Sequence, residues 1–348
     1  MSKFLILGGT GALGTYLVEE LLHRGHTVHV VSLDDKASDD PRLVYFKGNA
    51  YDNDYLAGLL KNGYDGMVDY MIYKQSEQFA SRMPLLLENL KHYIFLSTYR
   101  IYADSKTPIT EESDRLMDVS ADEAFLKSND YAIYKAEEED LLQHSNYRNW
   151  TVIRPSITFS KRRFQLVTLE AEILIPRIRA GKTVVLPESA MEVQSTMTWS
   201  GDSAKMVASL LLNKSAFGER YTIATAEHQS WRQVAEYYKE IAGMKYITVD
   251  TETFLQIWAL GGAHARYQLA YDRLFERAVD NRKILEIAGL KQTDLTPIKE
   301  ALRREYEALP AEAFTQLSDA QLAVHERMDA YLAAHGIENG TSDDPCAP

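Results

Sequence analysis

One cysteine, Cys346, stands near the end of this 348-residue chain, so no disulfide can form within it. That fits a reducing compartment, and a cytoplasmic location is expected. No apolar run is long enough to span a bilayer. The chain enters a strand pattern at Phe4, so no signal peptide is expected. Positive charge is in short supply: 38 Lys and Arg against 50 Asp and Glu leave a net charge of −12. Such a chain has no general field for nucleic acid or for an anionic membrane, and neither is expected as a partner. An anionic substrate would have to be met by local basic residues. Metal-ligand clusters are lacking too. His23, His26 and His29 are evenly spaced, but they span a helix end, a turn and a strand and do not converge, so no metal is expected.

Apolar residues are plentiful at 45%, enough to bury the core of one large α/β domain and a smaller lobe. Phe4-Leu5-Ile6-Leu7 reads as a buried strand. It runs into Gly8-Gly9-Thr10-Gly11-Ala12-Leu13-Gly14, and a helix with Leu13, Leu17, Val18, Leu21 and Leu22 on one face follows. Gly8 allows the tight turn, Gly11 lets the backbone approach a diphosphate, and Gly14 lets the helix sit close to the strand. The anion would lie at the helix N-terminus, where free N–H groups and the macrodipole favour it. Further strands are expected near Thr27–Val31, Leu43–Phe46, Gly66–Ile72, Tyr93–Ser97 and Thr151–Ile153. Helices are expected over Asp54–Lys61, Ser76–Leu90 and Tyr131–His144. This alternation predicts a doubly wound parallel sheet, with ligands beyond the carboxyl ends of its strands. After Arg154-Pro155 the pattern loosens. Thr183–Leu186, Tyr221–Ala224 and helices from Trp231, Phe254, Tyr267, Ile298 and Asp319 suggest a smaller lobe. The expected division is residues 1–155, residues 156–335, and a disordered tail at 336–348, with segments near 195–225 able to rejoin the sheet.

Tyr131 and Lys135 are one helical turn apart and share a face. A lysine ammonium near a phenol favours phenolate, and a phenol so tuned can move a proton to or from an alcohol oxygen. The lysine's other donors can hold a cofactor ribose. Ser97-Thr98 ends the fifth strand, where a hydroxyl would point into the ligand crevice. The plainer reading of each is ordinary: a surface tyrosine near a solvated lysine, and a hydroxyl bonded to its own backbone.

Together these residues resemble the extended short-chain dehydrogenase/reductases, in the NAD-dependent epimerase/dehydratase family. The match runs through Gly8–Gly14, Ile94–Tyr102, Tyr131-x-x-x-Lys135, Val152–Ser156, Asp202–Ala204 and Asp280–Lys283, over roughly residues 1–310. The resemblance implies a Rossmann sheet with a C-terminal α/β substrate lobe, and a catalytic set of Thr98, Tyr131 and Lys135. It implies a nucleotide-linked sugar as substrate, and a homodimer through the helices before and after the fifth strand. Cofactor contacts are expected from Gly8, Thr10, Gly11, Ala12, Leu13, Gly14, Ser32, Asp34, Asn49, Tyr70, Lys135 and Pro155. Substrate contacts are expected from Thr98, Tyr99, Arg100, Tyr131 and Arg177. Arg162-Arg163 and Arg177-x-Arg179 read equally well as diphosphate ligands or as exposed charge, and Glu137–Asp140 reads as a solvated helix face.

The sequence also departs from the family. Tyr99-Arg100 replaces the acidic pair of 4,6-dehydratases, so that activity is not expected. Asp69-Tyr70-Met71-Ile72 puts bulk where small residues usually face the nicotinamide. At the second strand's end Ser32 tolerates either dinucleotide, Asp34 would repel a 2′-phosphate and Lys36 could attract one; NAD is favoured, with NADP open. The leading expectation is an NAD(P)-dependent epimerase working through a transient keto-sugar. The alternatives are a reductase or dehydrogenase of a sugar or small carbonyl compound, and a non-catalytic dinucleotide sensor.

Overall fold

The computed structural model describes residues 1–259 and 262–339. β1 (Lys3–Leu7), β2 (Thr27–Ser32) and β3 (Leu43–Lys47) form one half of a parallel sheet. β4 (Gly66–Asp69), β5 (His92–Leu96) and β6 (Trp150–Pro155) form the other half. A seventh strand, Glu219–Ile223, lies outside β6, and the spatial order from that edge is seventh, β6, β5, β4, β1, β2, β3. The strand order therefore reverses between β1 and β4, where a crevice opens in sheets of this kind.

Alternation along the strands supplies both faces. Phe4 and Ile6 of β1 pack with Val28, Val30, Val68 and Ile94 beneath α1 (Gly14–His23) and the helix Ser200–Leu210. Leu5 and Leu7 pack with Met67, Phe95 and Val152 beneath α2 (Asn53–Leu60), α3 (Ser76–Asn89) and Leu142 of the helix Tyr131–His144. α2 starts where Asp52 caps it, accepting from the Asp54 and Tyr55 amides at 2.9 and 3.0 Å. α1 lies so near the sheet that a Cβ on Gly14 would come within 2.5 Å of both the Gly8 carbonyl oxygen and Gly9 Cα.

A separate apolar cluster builds the smaller lobe around the paired strands Thr183–Pro187 and Lys245–Val249. Helices Ala171–Arg179, Trp231–Ala242, Thr251–Trp258 and Ile298–Glu307 contribute to it. Of the segment Tyr221–Ala224, read in sequence with this lobe but within the stretch near 195–225 able to rejoin the sheet, Tyr221–Ile223 belong to the seventh sheet strand, because they pair with β6. The expected helix Tyr267–Ala278 is also broken. Ala263–Gln268 passes into a π-turn at Leu269–Arg273 with Tyr271 off helical geometry (φ −104°), which turns Asp272 and Arg273 inward.

The helix Asp319–Ala334 docks through Val324, Met328 and Leu332. Arg177 holds it there. Its guanidinium is fully buried, donates to the Thr183 carbonyl at 2.9 and 2.7 Å, and pairs with Asp329 at 2.8 Å. The expected substrate contact from Arg177 is thus corrected to a structural one. Arg179 likewise caps carbonyls of Pro310, Ala311 and Ala313. Of the tail expected to be disordered, Asn339 bonds Asp329 at 2.7 Å, while 340–348, with Cys346, lie outside the described residues.

Two outcomes follow for urea unfolding. Gly14→Ala should lower stability by about 2 kcal/mol, because its new methyl meets backbone that cannot yield. Arg177→Ala should lower it by about 2 kcal/mol, because the Thr183 carbonyl loses both guanidinium donors, while Asp329 keeps Lys182 and Asn339.

Candidate active site

The glycine turn ends β1 and opens α1. Gly8 sits at φ +73°, in the left-handed region, and its carbonyl accepts from the Gly11 amide at 3.0 Å. Tyr70, just past β4, packs against Gly8, where a Cβ would meet the Tyr70 Cβ at 3.4 Å. Thr10 ties the turn to the end of β2 through a 2.8 Å hydroxyl contact with Ser32. The Ser32 hydroxyl also accepts from the Asp34 amide at 3.1 Å. Asp34 stands half exposed beside Lys36 at 4.0 Å, and Lys47 pairs with Asp35 at 3.0 Å. Asn49 closes a turn after β3 by accepting from the Tyr51 amide at 3.0 Å.

Beyond the carboxyl ends of β5 and β6 lies a crevice of about 440 Å³. Leu13 from the glycine turn, Ile72 from the β4 loop, Ser97 and Thr98 just past β5, Tyr131, and Pro155 from β6 all line it. Asp130 positions Tyr131 by capping its helix, accepting from the Ala132 amide at 3.0 Å. Thr98 and Tyr131 therefore meet, as expected. Burial pushes the phenol up to about 12, opposed by the nearby Arg100 and Arg163 guanidinium groups and by the Thr98 hydroxyl. Arg100 lies 5.6 Å from the centre of the Tyr131 ring. The Ser97 hydroxyl is buried in the crevice wall without a hydrogen-bond partner among the described residues.

Lys135 is placed differently from expectation. Its ammonium does not line the crevice; it is buried behind β5, 2.8 Å from Glu138. Tyr99 and Arg100 do line the crevice, the Tyr99 hydroxyl donating to Asp272 at 2.9 Å. The acidic run Glu137–Asp140 is corrected from a solvated face: Glu138 and Glu139 are buried. Glu139 holds Arg154 at 3.0 and 2.6 Å, and Arg154 donates on to Tyr102 at 2.9 Å.

The residues that sequence reasoning missed come from the smaller lobe. Asp272 is fully buried at the crevice floor and pairs with Arg100 at 3.3 Å and with Arg273 and Arg277. Burial alone would raise its carboxyl, but these three guanidinium groups hold it below the ordinary carboxylate range. Gln268, Arg273, Ser156 and Thr158 also line the crevice. No motif marks Asp272; the only local signal is the density of Arg around it, at 266, 273 and 277. Arg163 faces the crevice, whereas Arg162 does not line it.

These features fit a dinucleotide: a glycine turn at a helix N-terminus, an unpartnered buried hydroxyl, and a floor rich in cations. The Gly8–Leu13 turn would hold the diphosphate, with Ser32 and Asp34 at the adenosine end and Pro155 and Ser97 near the reacting end.

Residues 8–173 match the profile of a family described as NAD(P)H-binding. The chloroplast stem-loop binding protein of 41 kDa b from Arabidopsis thaliana is 26% identical over 252 residues, covering 67% of this chain. The chain spans only 61% of that relative's length. UDP-glucuronic acid 4-epimerase from Bacillus cereus, solved with UDP-glucuronic acid and NAD, superposes with a TM-score of 0.65 at 15% identity, covering 88% of this chain and 98% of that one. The human epimerase family protein SDR39U1, solved with NADPH, gives 0.63 at 17% identity, covering 88% and 100%. The chain carries an NAD(P)H-binding domain over residues 8–173, set in the fold shared by epimerases and dehydratases of the extended short-chain dehydrogenase/reductase type.

Proposed function

We propose that this protein is an NAD-dependent epimerase of a nucleotide-linked sugar. The observation that carries the reading is the meeting of Thr98 and Tyr131 over the crevice at the end of β5. A bound dinucleotide supplies a carrier that accepts hydride from a sugar carbon and returns it to the other face. The protein's own residues handle the proton. Tyr131 takes the hydroxyl proton as the carbon–oxygen bond becomes a carbonyl, and gives it back when the alcohol re-forms. Thr98 orients the reacting oxygen. Arg100 and Arg163 stabilise the phenolate, and Ile72 and Leu13 give the crevice an apolar edge. Asp34 and the absence of an unpaired cation at the end of β2, among the described residues, favour NAD over NADP. The single cysteine supports a reducing, cytoplasmic setting. A net charge of −12 gives no support to the stem-loop binding named for the Arabidopsis relative.

A reductase of a sugar or small carbonyl compound is the second reading. It is favoured by the high phenol pKa, which keeps Tyr131 a proton donor at neutral pH. The two separate when the purified protein is denatured and any released dinucleotide is identified by mass. Retained dinucleotide with no net change in added cofactor supports epimerisation. An empty protein that consumes NADH stoichiometrically with substrate supports the reductase.

Under either reading, Tyr131→Phe should lower turnover at least about 100-fold in a steady-state assay while dinucleotide binding, read by fluorescence, persists. Arg163→Gln removes a cation that favours phenolate, so the phenol pKa rises. In the oxidising direction, where Tyr131 must lose its proton, the ascending limb of the kcat/KM profile should move to higher pH than in the wild type.

A further inference from the structure

Lys135 is the one member of the expected catalytic set that the fold withdraws. Its ammonium lies 2.8 Å from Glu138 Oε2, and both side chains are 0% exposed. The Phe95 ring is 4.6 Å from the ammonium and the Tyr73 ring 5.8 Å. Tyr73 is itself fastened, donating to Asp69 at 2.6 Å, with the Arg82 guanidinium 5.1 Å from its ring centre. Tyr93 donates to the same Asp69 oxygen at 2.8 Å. Apart from their mutual contact, neither the Lys135 ammonium nor the Glu138 carboxylate has a hydrogen-bond partner among the described residues. An ammonium has three donors, so this one is buried with donors to spare. A buried ion pair this poorly satisfied is held by its mutual contact alone, so loss of charge on one partner removes what keeps the other in place. It lies one helical turn from Tyr131, on the same face.

We propose that Glu138 is a positioning residue that parks Lys135 behind Tyr73, and that the ammonium moves to the dinucleotide when Glu138 lets go. The proposal rests on the reading of the crevice as a dinucleotide site. Its chemistry is a single proton. The groups that face Glu138 are Tyr131, Tyr134, Lys135 and Glu137 on its own helix, Asp69 at the end of β4, Tyr73 in the loop that follows, and Tyr51 after β3. Burial pushes the Glu138 carboxyl up to about 7, against the pull of Lys135, with Asp69 and Glu137 adding to the rise. Below that pH the carboxyl binds a proton, its charge is lost, and its hold on the ammonium weakens. A cation left alone in the interior is better placed beside an anionic dinucleotide. Above that pH the carboxylate keeps Lys135 parked. Acid should therefore tighten binding, and alkali loosen it.

NADH is a suitable probe because its diphosphate does not titrate over the range. Its dissociation constant is measured by fluorescence from pH 6 to 8.5 for the wild type, Glu138→Gln and Lys135→Met. The wild type should bind about tenfold more tightly at the acid end. Glu138→Gln should bind at the tight level throughout, and Lys135→Met at the weak level throughout. A wild-type affinity that does not change with pH overturns the proposal, and this arm needs no variant to fold. So does a Glu138→Gln protein no tighter than wild type at pH 8.5, or a Lys135→Met protein that keeps the wild-type profile. Failure of all three proteins to bind NADH at any pH overturns the dinucleotide reading itself and this proposal with it.

Discussion

Asp272 is the charge on which the site depends. It is buried at the meeting point of the two lobes and holds Arg100, Arg273 and Arg277 together. Arg100 follows Thr98 in the turn after β5, and it also pairs with Asp130, the cap of the helix that carries Tyr131. One carboxylate thus joins the π-turn of the smaller lobe to the end of β5 and, through Arg100, to the start of the Tyr131 helix. Removing it would leave three buried guanidinium groups with too little negative charge, a far larger cost than losing an exposed pair.

The same economy of buried charge recurs behind the sheet. Arg154, at the end of β6, is satisfied by Glu139 from the neighbouring helix, and through Tyr102 it reaches Thr222 of the seventh strand. Glu111 closes the circuit by accepting from the Thr222 amide. This network is fully hydrogen-bonded, which is the condition under which buried polar groups rigidify a fold. The Lys135–Glu138 pair one turn earlier is not, and that contrast separates a structural pair from one with room to move. The crevice therefore sits between a rigid wall on the β6 side and a less satisfied one behind β4 and β5.

Much of the sheet was readable because its determinants are local. Apolar runs bounded by glycine mark β1, and the spacing of Gly8, Gly11 and Gly14 marks the turn, since each glycine answers a steric demand within a few residues. The helix Tyr131–His144 was legible from its place between the fifth and sixth strands, and a helix from about Asp319 from its amphipathic pattern. The seventh strand was legible only as a stretch near 195–225 able to rejoin the sheet, because parallel pairing joins Glu219–Ile223 to β6 across a long stretch of chain and no local pattern records the partner. The π-turn at Leu269–Arg273 was hidden for a similar reason: its helical composition is overridden by burial of Asp272 among arginines from elsewhere.

By itself, then, the sequence determined that a nucleotide-binding turn opens a doubly wound sheet, and that a hydroxyl at 98 and a phenol at 131 stand at its carboxyl edge. Both follow from short-range sterics and from periodicity. Only the tertiary structure decided which cations serve them. It sent Arg177 to the C-terminal helix, Lys135 to Glu138, and Arg100 and Arg163 to the phenol. A charged side chain takes the partner that burial leaves within reach, and that choice is made by packing among distant segments.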